Sequence, residues 1–280
     1  MGYDVFVVPD HFHTEGLAPV PALLAAADAT QRLRVGSTVF DNDFRHPALL
    51  AKEAATIDLL SGGRLEFGLG AGWKKKEYDQ VGLNWDEAGV RVGRLEEAVR
   101  LIKRLWSGDA VTAHGTHYHV TDLANYPTPV QKPHPPVFMG GGGQRLLSIA
   151  AQEADIIGII AKALPGGGLD TAADNEAVLR QKVEWVRSAA GQRFDAIELQ
   201  SLIWKVAVTD HRESQAEQVA RYYGRSAEHV LGSPYFLIGS VDAIVEQLLA
   251  QRETHGLSYF IVYPEDFEAF APVVARLRGS

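Results

Sequence analysis

Short apolar runs, each bounded by glycine or proline, alternate along this chain with longer stretches whose apolar residues recur every three or four positions. That alternation is the mark of βα units, because parallel strands need a crossover and an amphipathic helix supplies it. Seven runs read as strands, at residues 3–8, 33–40, 65–69, 136–139, 155–160, 197–208 and 258–263. The helical period is plainest within 91–106, at Val92, Leu95, Val99, Ile102 and Leu105. A second helix is expected over 47–60, with Pro47 in its first turn and Gly62 or Gly63 past its end, and a closing helix over 265–278.

Seven parallel strands suit either a doubly wound sheet or most of a (β/α)8 barrel. Gly68, Gly70 and Gly72 follow a strand, but Trp73 stands where a dinucleotide fingerprint needs its third glycine. Arg145 breaks the same pattern after Gly140, Gly141, Gly142 and Gly143. A TIM barrel is therefore the expected fold.

The 280 residues are 46% hydrophobic, enough for a real core and too apolar for a disordered chain. No repeat or composition shift marks a boundary, so 1–280 reads as a single domain. Two segments leave the alternation: a polar, then proline-rich surface excursion over about 110–135, and a flexible loop over about 161–174 around Gly166, Gly167 and Gly168. The loop is either a lid or a mobile connection. With 35 acidic against 27 basic residues, net charge −8 and charges spread along the chain apart from one short lysine run, a nucleic-acid surface is not expected. The chain has no cysteine, which excludes disulfides, thiolate metal sites and a cysteine nucleophile. It has neither a 20-residue apolar span nor a signal-peptide start, so the expected location is cytoplasmic, away from the membrane.

In such a barrel chemistry gathers where strands end. After the first run come Asp10, His11, Phe12 and His13, where a carboxylate beside an imidazole can hold its tautomer for proton transfer. The second run carries Ser37 and Thr38, whose hydroxyls need either a polar heterocycle or local backbone partners, and ends in Asp41, Asn42, Asp43 and Phe44. The third ends in Gly70, Ala71, Gly72 and Trp73, the fourth in Gly140 to Gly143 ahead of a helix. Glycines followed by a helix N-terminus form a credible phosphate cradle. Lys74, Lys75 and Lys76 are either a solvated turn or the partners of an anionic tail. His11 and His13 could open a metal site, but the fourth and fifth strand ends offer no histidine to complete it, so no metal is expected.

The segment Gly2-Tyr3-Asp4-Val5-Phe6-Val7-Val8-Pro9-Asp10-His11-Phe12 resembles the luciferase-like monooxygenase superfamily. So does the stretch from Arg45-His46-Pro47 through Ser61-Gly62-Gly63-Arg64 to Gly68-Leu69-Gly70-Ala71-Gly72-Trp73, and so do Pro135 to Gly143 and Ala154 to Gly158. Within it the chain is most similar to the branch that uses the deazaflavin coenzyme F420. The resemblance implies hydride transfer between F420 and a small organic substrate, in a luciferase-like (β/α)8 barrel. Asp10 and His11 then line the coenzyme pocket, with His11 the acid/base. Ser37 and Thr38 mark a strand with a non-prolyl cis peptide against the ring. Gly70, Ala71 and Gly72 line the coenzyme site, Gly140 to Gly143 take its phosphate, Lys74 meets its tail, and Phe44 and Trp73 wall the substrate. Ala71 stands where glucose-6-phosphate dehydrogenases of the superfamily carry glutamate, which disfavours that substrate. The superfamily also has a strand and helix before the Gly2-Tyr3-Asp4 segment, so the first βα unit is missing and the native chain is expected to begin upstream of Met1. A homodimer is implied. The alternatives are an FMN-dependent two-component monooxygenase served by a coenzyme-reducing partner, and a truncated flavin-binding paralogue without turnover.

Overall fold

The central apolar runs become strands covered on both faces, as a parallel sheet beneath helices requires, while the first and last strands stay partly exposed. The computed structural model describes residues 1–12, 16–171 and 174–278. In chain order its strands are β1 (Val5–Val8), β2 (Arg34–Ser37), β3 (Phe40–Asp41), β4 (Leu65–Gly70), β5 (Val111–His114), β6 (His119–Leu123) and β7 (Val137–Gly141). There follow β8 (Ile156–Ile159), β9 (Lys162–Ala163), β10 (Leu169–Asp170), β11 (Glu198–Leu202), β12 (Lys205–Val208), β13 (Phe236–Gly239) and β14 (Leu257–Ile261). The helices are α1 (Pro19–Asp28), α2 (Pro47–Leu60), α3 (Lys75–Val81), α4 (Ala88–Leu105), α5 (Gln144–Glu153), α6 (Glu176–Ala190), α7 (Arg212–Tyr223), α8 (Ala227–Gly232), α9 (Val241–His255) and α10 (Phe267–Leu277).

The main sheet runs β1-β2-β4-β7-β8-β11-β14, all parallel, with β3 paired to β4. This curled sheet of seven strands with helices is a half-barrel, in accord with the luciferase-like (β/α)8 barrel lacking its first βα unit that the sequence predicts. Among the described residues its path starts at β1 and ends at β14 without pairing the two. The strand order puts all C-terminal strand ends on one rim. Across the interior, the Tyr259 hydroxyl donates to Glu66 Oε2 at 2.9 Å, while Arg34 Nε lies 3.0 Å from Oε1. Burial pushes the Glu66 carboxyl up, and Arg34 opposes it.

Helix ends follow local chemistry. His46 caps α2 by accepting the Ala48 N–H, and Pro47 takes the position where a missing N–H costs nothing. Asn175 caps α6 and Ser240 caps α9 in the same way, each through its side-chain oxygen. The inner stripes of α2 and α4 bury Leu50, Ile57, Leu95 and Ile102 against Phe67. Burial of each such side chain contributes about 1.5 to 3 kcal/mol. Trp106 closes this layer edge-on to Phe67 and donates its indole N–H to Ala51 O at 2.9 Å.

Two segments differ from the sequence reading. The run at 197–208 is two strands, because the ladder changes partner: Ile203 N–H bonds Ile261 O, whereas Trp204 N–H bonds Tyr235 O. β11 thus stays in the main sheet while β12 pairs β13, a four-residue buried strand that the sequence reading did not mark. The excursion at 110–135 contains the antiparallel hairpin β5–β6. Its later part is tied to α2 by buried Asp58, which accepts the N–H groups of Val130 (2.7 Å) and Gln131 (3.0 Å) and the Gln131 side-chain amide (2.7 Å).

Candidate active site

The ends of β1, β3 and β4 and the first turn of α3 converge on one part of the rim. His11, just past β1, places Nδ1 2.9 Å from Glu77 Oε2. The imidazole side chain keeps 21% exposure and the glutamate 1%. Trp73 stands edge-on to the imidazole, ring centres 5.8 Å apart. Lys74 Nζ lies 5.1 Å over the Trp73 ring and 3.9 Å from Glu77 Oε1. Burial lowers the Lys74 ammonium pKa, and Glu77 opposes that shift.

Asp10 is engaged elsewhere. Arg45 pairs with its Oδ2 and reaches Oδ1 at 3.4 Å, while Oδ2 also accepts the Asp41 N–H at 3.3 Å. The adjacent carboxylate expected to orient His11 is therefore the counter-ion of Arg45, and the carboxylate facing Nδ1 comes from Glu77, 66 residues later.

Behind them lies a buried acidic knot. The Tyr78 hydroxyl is 3.0 Å from Asp41 Oδ1 and 3.0 Å from Asp43 Oδ2. Burial raises the Asp41 carboxyl to about 7, against the Asp43 N–H bond that lowers it. Burial and the two carboxylates push the Tyr78 phenol far above its usual range. Asn42 donates to Tyr118 Oη at 2.9 Å, which brings the β5–β6 hairpin to the same wall. Phe44 packs between Phe12 (4.7 Å between ring centres) and Tyr78 (5.7 Å).

The remaining predicted residues divide by what occupies the space beside them. Ser37 donates to Gly68 O at 2.7 Å and accepts the Gly68 N–H at 3.2 Å, so of the two partners considered it takes the backbone of the next strand. The Thr38–Val39 peptide is cis. A methyl on Gly70 would fall 2.4 Å from Val39 Cγ2; one on Gly72, whose φ is +70°, would fall 1.9 Å from Tyr78 Oη. The protein's own side chains thus fill the space at these glycines, and Ala71 O accepts from Arg91 Nε at 3.2 Å. Gly140 and Gly141 belong to β7, and Gly142 lets the 160–162 backbone pass at about contact distance. Of the four glycines from 140 to 143, Gly143, the α5 N-cap, is the one with nothing within 4 Å of where a Cβ would stand, and no side chain caps that helix. Lys75 is tied to Asp79 at 2.7 Å, so of the lysine run it is Lys74 that turns toward the site.

The loop beyond β8 crosses toward this rim. Gly167 packs on Lys75, and Pro165 O accepts the Trp85 indole N–H at 3.3 Å. His13 lies outside the described residues, and among those described no three metal-ligating side chains cluster. No described helix is long and apolar enough to cross a membrane. Sequence reasoning missed Glu77, Arg45, Tyr78 and Arg94. Glu77 had one available signal, an acidic residue at a first-turn position just beyond a strand end.

Comparison with known proteins agrees with this architecture. The model of the luciferase-like monooxygenase family matches residues 1–258. The chain is 36% identical over 162 residues to the F420-dependent glucose-6-phosphate dehydrogenase of Microbacterium testaceum, covering 55% of this chain and 47% of that protein. It is 37% identical over 134 residues to the FMNH2-dependent dimethylsulfone monooxygenase of Pseudomonas putida, covering 48% and 36%. The chain thus spans about half the length, or less, of these curated relatives. The coenzyme F420 dependent tetrahydromethanopterin reductase from Methanopyrus kandleri shares the fold, with a TM-score of 0.76 at 18% identity over 98% of this chain and 90% of that one.

Proposed function

Because the chain belongs to the luciferase-like monooxygenase family, we propose that it is an F420-dependent oxidoreductase, moving a hydride between the deazaflavin coenzyme and a small organic substrate. Relatives named for F420 support the choice of coenzyme. The observation that carries the reading is an imidazole at the barrel rim, part exposed and backed by a buried carboxylate.

The residues present fit the coenzyme at two places. Gly143 leaves open space at the uncapped start of α5, where N–H groups can meet a phosphate. Trp73 and His11 offer an aromatic wall beside a proton carrier. When bound, the coenzyme gives or accepts the hydride. His11 holds or releases the accompanying proton, and Trp73 and Phe44 wall off the substrate. Asp10 fixes Arg45 and the start of the Asp41 loop, a supporting role. Lys74 contributes positive charge at the rim. The substrate is a small molecule, and Ala71 argues against glucose 6-phosphate despite the names of several relatives. As the resemblance implies, we expect a homodimer in the cytoplasm.

The FMN-dependent monooxygenase is the second reading, favoured by the Pseudomonas putida relative. Fluorescence titration of the purified protein with F420 and with reduced and oxidised FMN decides between them. Saturable F420 binding at micromolar concentration or below, with FMN at least 10-fold weaker, is expected; preference for FMN overturns the proposal.

A further inference from the structure

We propose that Glu77 is the positioning residue of His11, keeping a proton on Nδ1 so that Nε2 is the nitrogen that exchanges a proton with the substrate. The use made of that proton rests on the hydride-transfer reading above; the tautomer itself does not.

A neutral imidazole carries one N–H donor and one acceptor nitrogen, and an ionised carboxylate only accepts. With Glu77 Oε2 2.9 Å from Nδ1, the pair is satisfied when Nδ1 bears the hydrogen. Two features suit the carboxylate of Glu77 to accept from Nδ1. Its second oxygen faces the Lys74 ammonium at 3.9 Å. With 1% exposure, its side chain is shielded from water competing for the Nδ1 bond. Trp73, edge-on at 5.8 Å, limits rotation of the imidazole, so the orientation set by Glu77 persists. Lys74 contacts both Trp73 and Glu77 and so links the ring wall to the carboxylate.

The consequence is directional. With the coenzyme bound to take up the hydride, His11 Nε2 would be the acceptor of the hydroxyl proton of an alcohol-type substrate. The imidazolium so formed is stabilised by Glu77 through Nδ1–H. In the reverse direction Nε2 returns the proton to the developing alkoxide. The imidazole does not have to turn over between the two directions.

The test uses the coenzyme-free full-length protein labelled with nitrogen-15 at histidine, with the His11 signal assigned by its loss in His11→Gln. Long-range proton–nitrogen spectra at a pH where the imidazole is neutral report the tautomer. The expected result is the Nδ1–H tautomer for neutral His11. In Glu77→Gln the Nδ1 preference is lost. An Nε2–H tautomer in the unaltered protein overturns the proposal even if the variant does not fold. An unchanged tautomer preference in folded Glu77→Gln overturns it as well. F420 titration of the same two proteins separates the claims: Glu77→Gln should bind F420 within about threefold of the unaltered protein, because Glu77 acts through His11. Failure of the unaltered protein to bind F420 refutes the coenzyme assignment and leaves the tautomer result standing.

Discussion

Arg94 grips Asp43 with two parallel hydrogen bonds, Nε to Oδ1 at 2.7 Å and Nη2 to Oδ2 at 2.8 Å, and reaches Asp86 with Nη1 at 2.7 Å. This fork joins α4 to the loop after β3, and so ties the helical layer to the wall that carries Asp41 and Phe44. Both carboxylates raise the Arg94 guanidinium pKa further, through the Asp43 bonds first. Arg94→Leu removes the fork and leaves Asp43, only 7% exposed at its side chain, facing Tyr78 and Asp41 without a cation at this place. The expected loss is about 2 kcal/mol, less than for a fully buried pair because Arg94 keeps some solvent contact. An unchanged urea midpoint would show that the fork contributes nothing.

Asp41 makes stability depend on pH. Its carboxyl is raised to about 7 in the folded protein from an ordinary value near 4, so between those values the folded state holds a proton that the unfolded chain releases. Its contribution is therefore complete below about pH 4 and is lost as pH rises through about 7, with a slope of up to ~1.4 kcal/mol per pH unit. Asp41→Asn should remove that slope. Between pH 5 and pH 7.5 the stability difference between original and variant should shift by about 2 kcal/mol against the original. Parallel curves for the two proteins contradict the raised value.

Gly72 and Gly143 should respond oppositely to alanine. At Gly72 the positive φ and the Tyr78 hydroxyl 1.9 Å from a new Cβ leave no room, and Gly72→Ala should cost about 3 kcal/mol. Gly143→Ala, with φ −98° and open space, should change stability by less than about 0.5 kcal/mol. Gly143→Asp places a negative charge where the coenzyme phosphate is proposed to sit, and F420 affinity should fall at least about 10-fold. Retained affinity in that variant moves the phosphate elsewhere.

Asp58 should decide whether the excursion stays docked. It is fully buried and accepts three hydrogen bonds from Val130 and Gln131, so Asp58→Ala strands three donors. A loss of about 3 kcal/mol is expected. Amide exchange should quicken first at Val130 and Gln131, and unaltered protection there refutes the tether.

The strand and helix plan was legible because period reports burial. The helix expected over 47–60 has those same bounds, since Pro47 and the glycines after Ser61 are local signals. The 197–208 run misled because its apolar pattern continues unbroken while its hydrogen-bond partners change at Ile203 and Trp204, and partner identity has no local signature. The rim residues His11, Phe44 and Trp73 were found by position after strands. Glu77 was passed over as one acid after three lysines, since its burial depends on where α3 docks.

What the sequence determined by itself was the alternation of strands and helices over most of the main sheet, and with it several residues at strand ends; side-chain period and turn residues are local properties. Which carboxylate serves which cation or imidazole was decided only in three dimensions: Asp10 to Arg45, Glu77 to His11, Asp43 to Arg94. Those pairings join residues 35, 66 and 51 positions apart. They depend on the curl of the sheet and the angle at which α3 and α4 meet it, because interactions between charged groups are set by distance and burial, not by order along the chain.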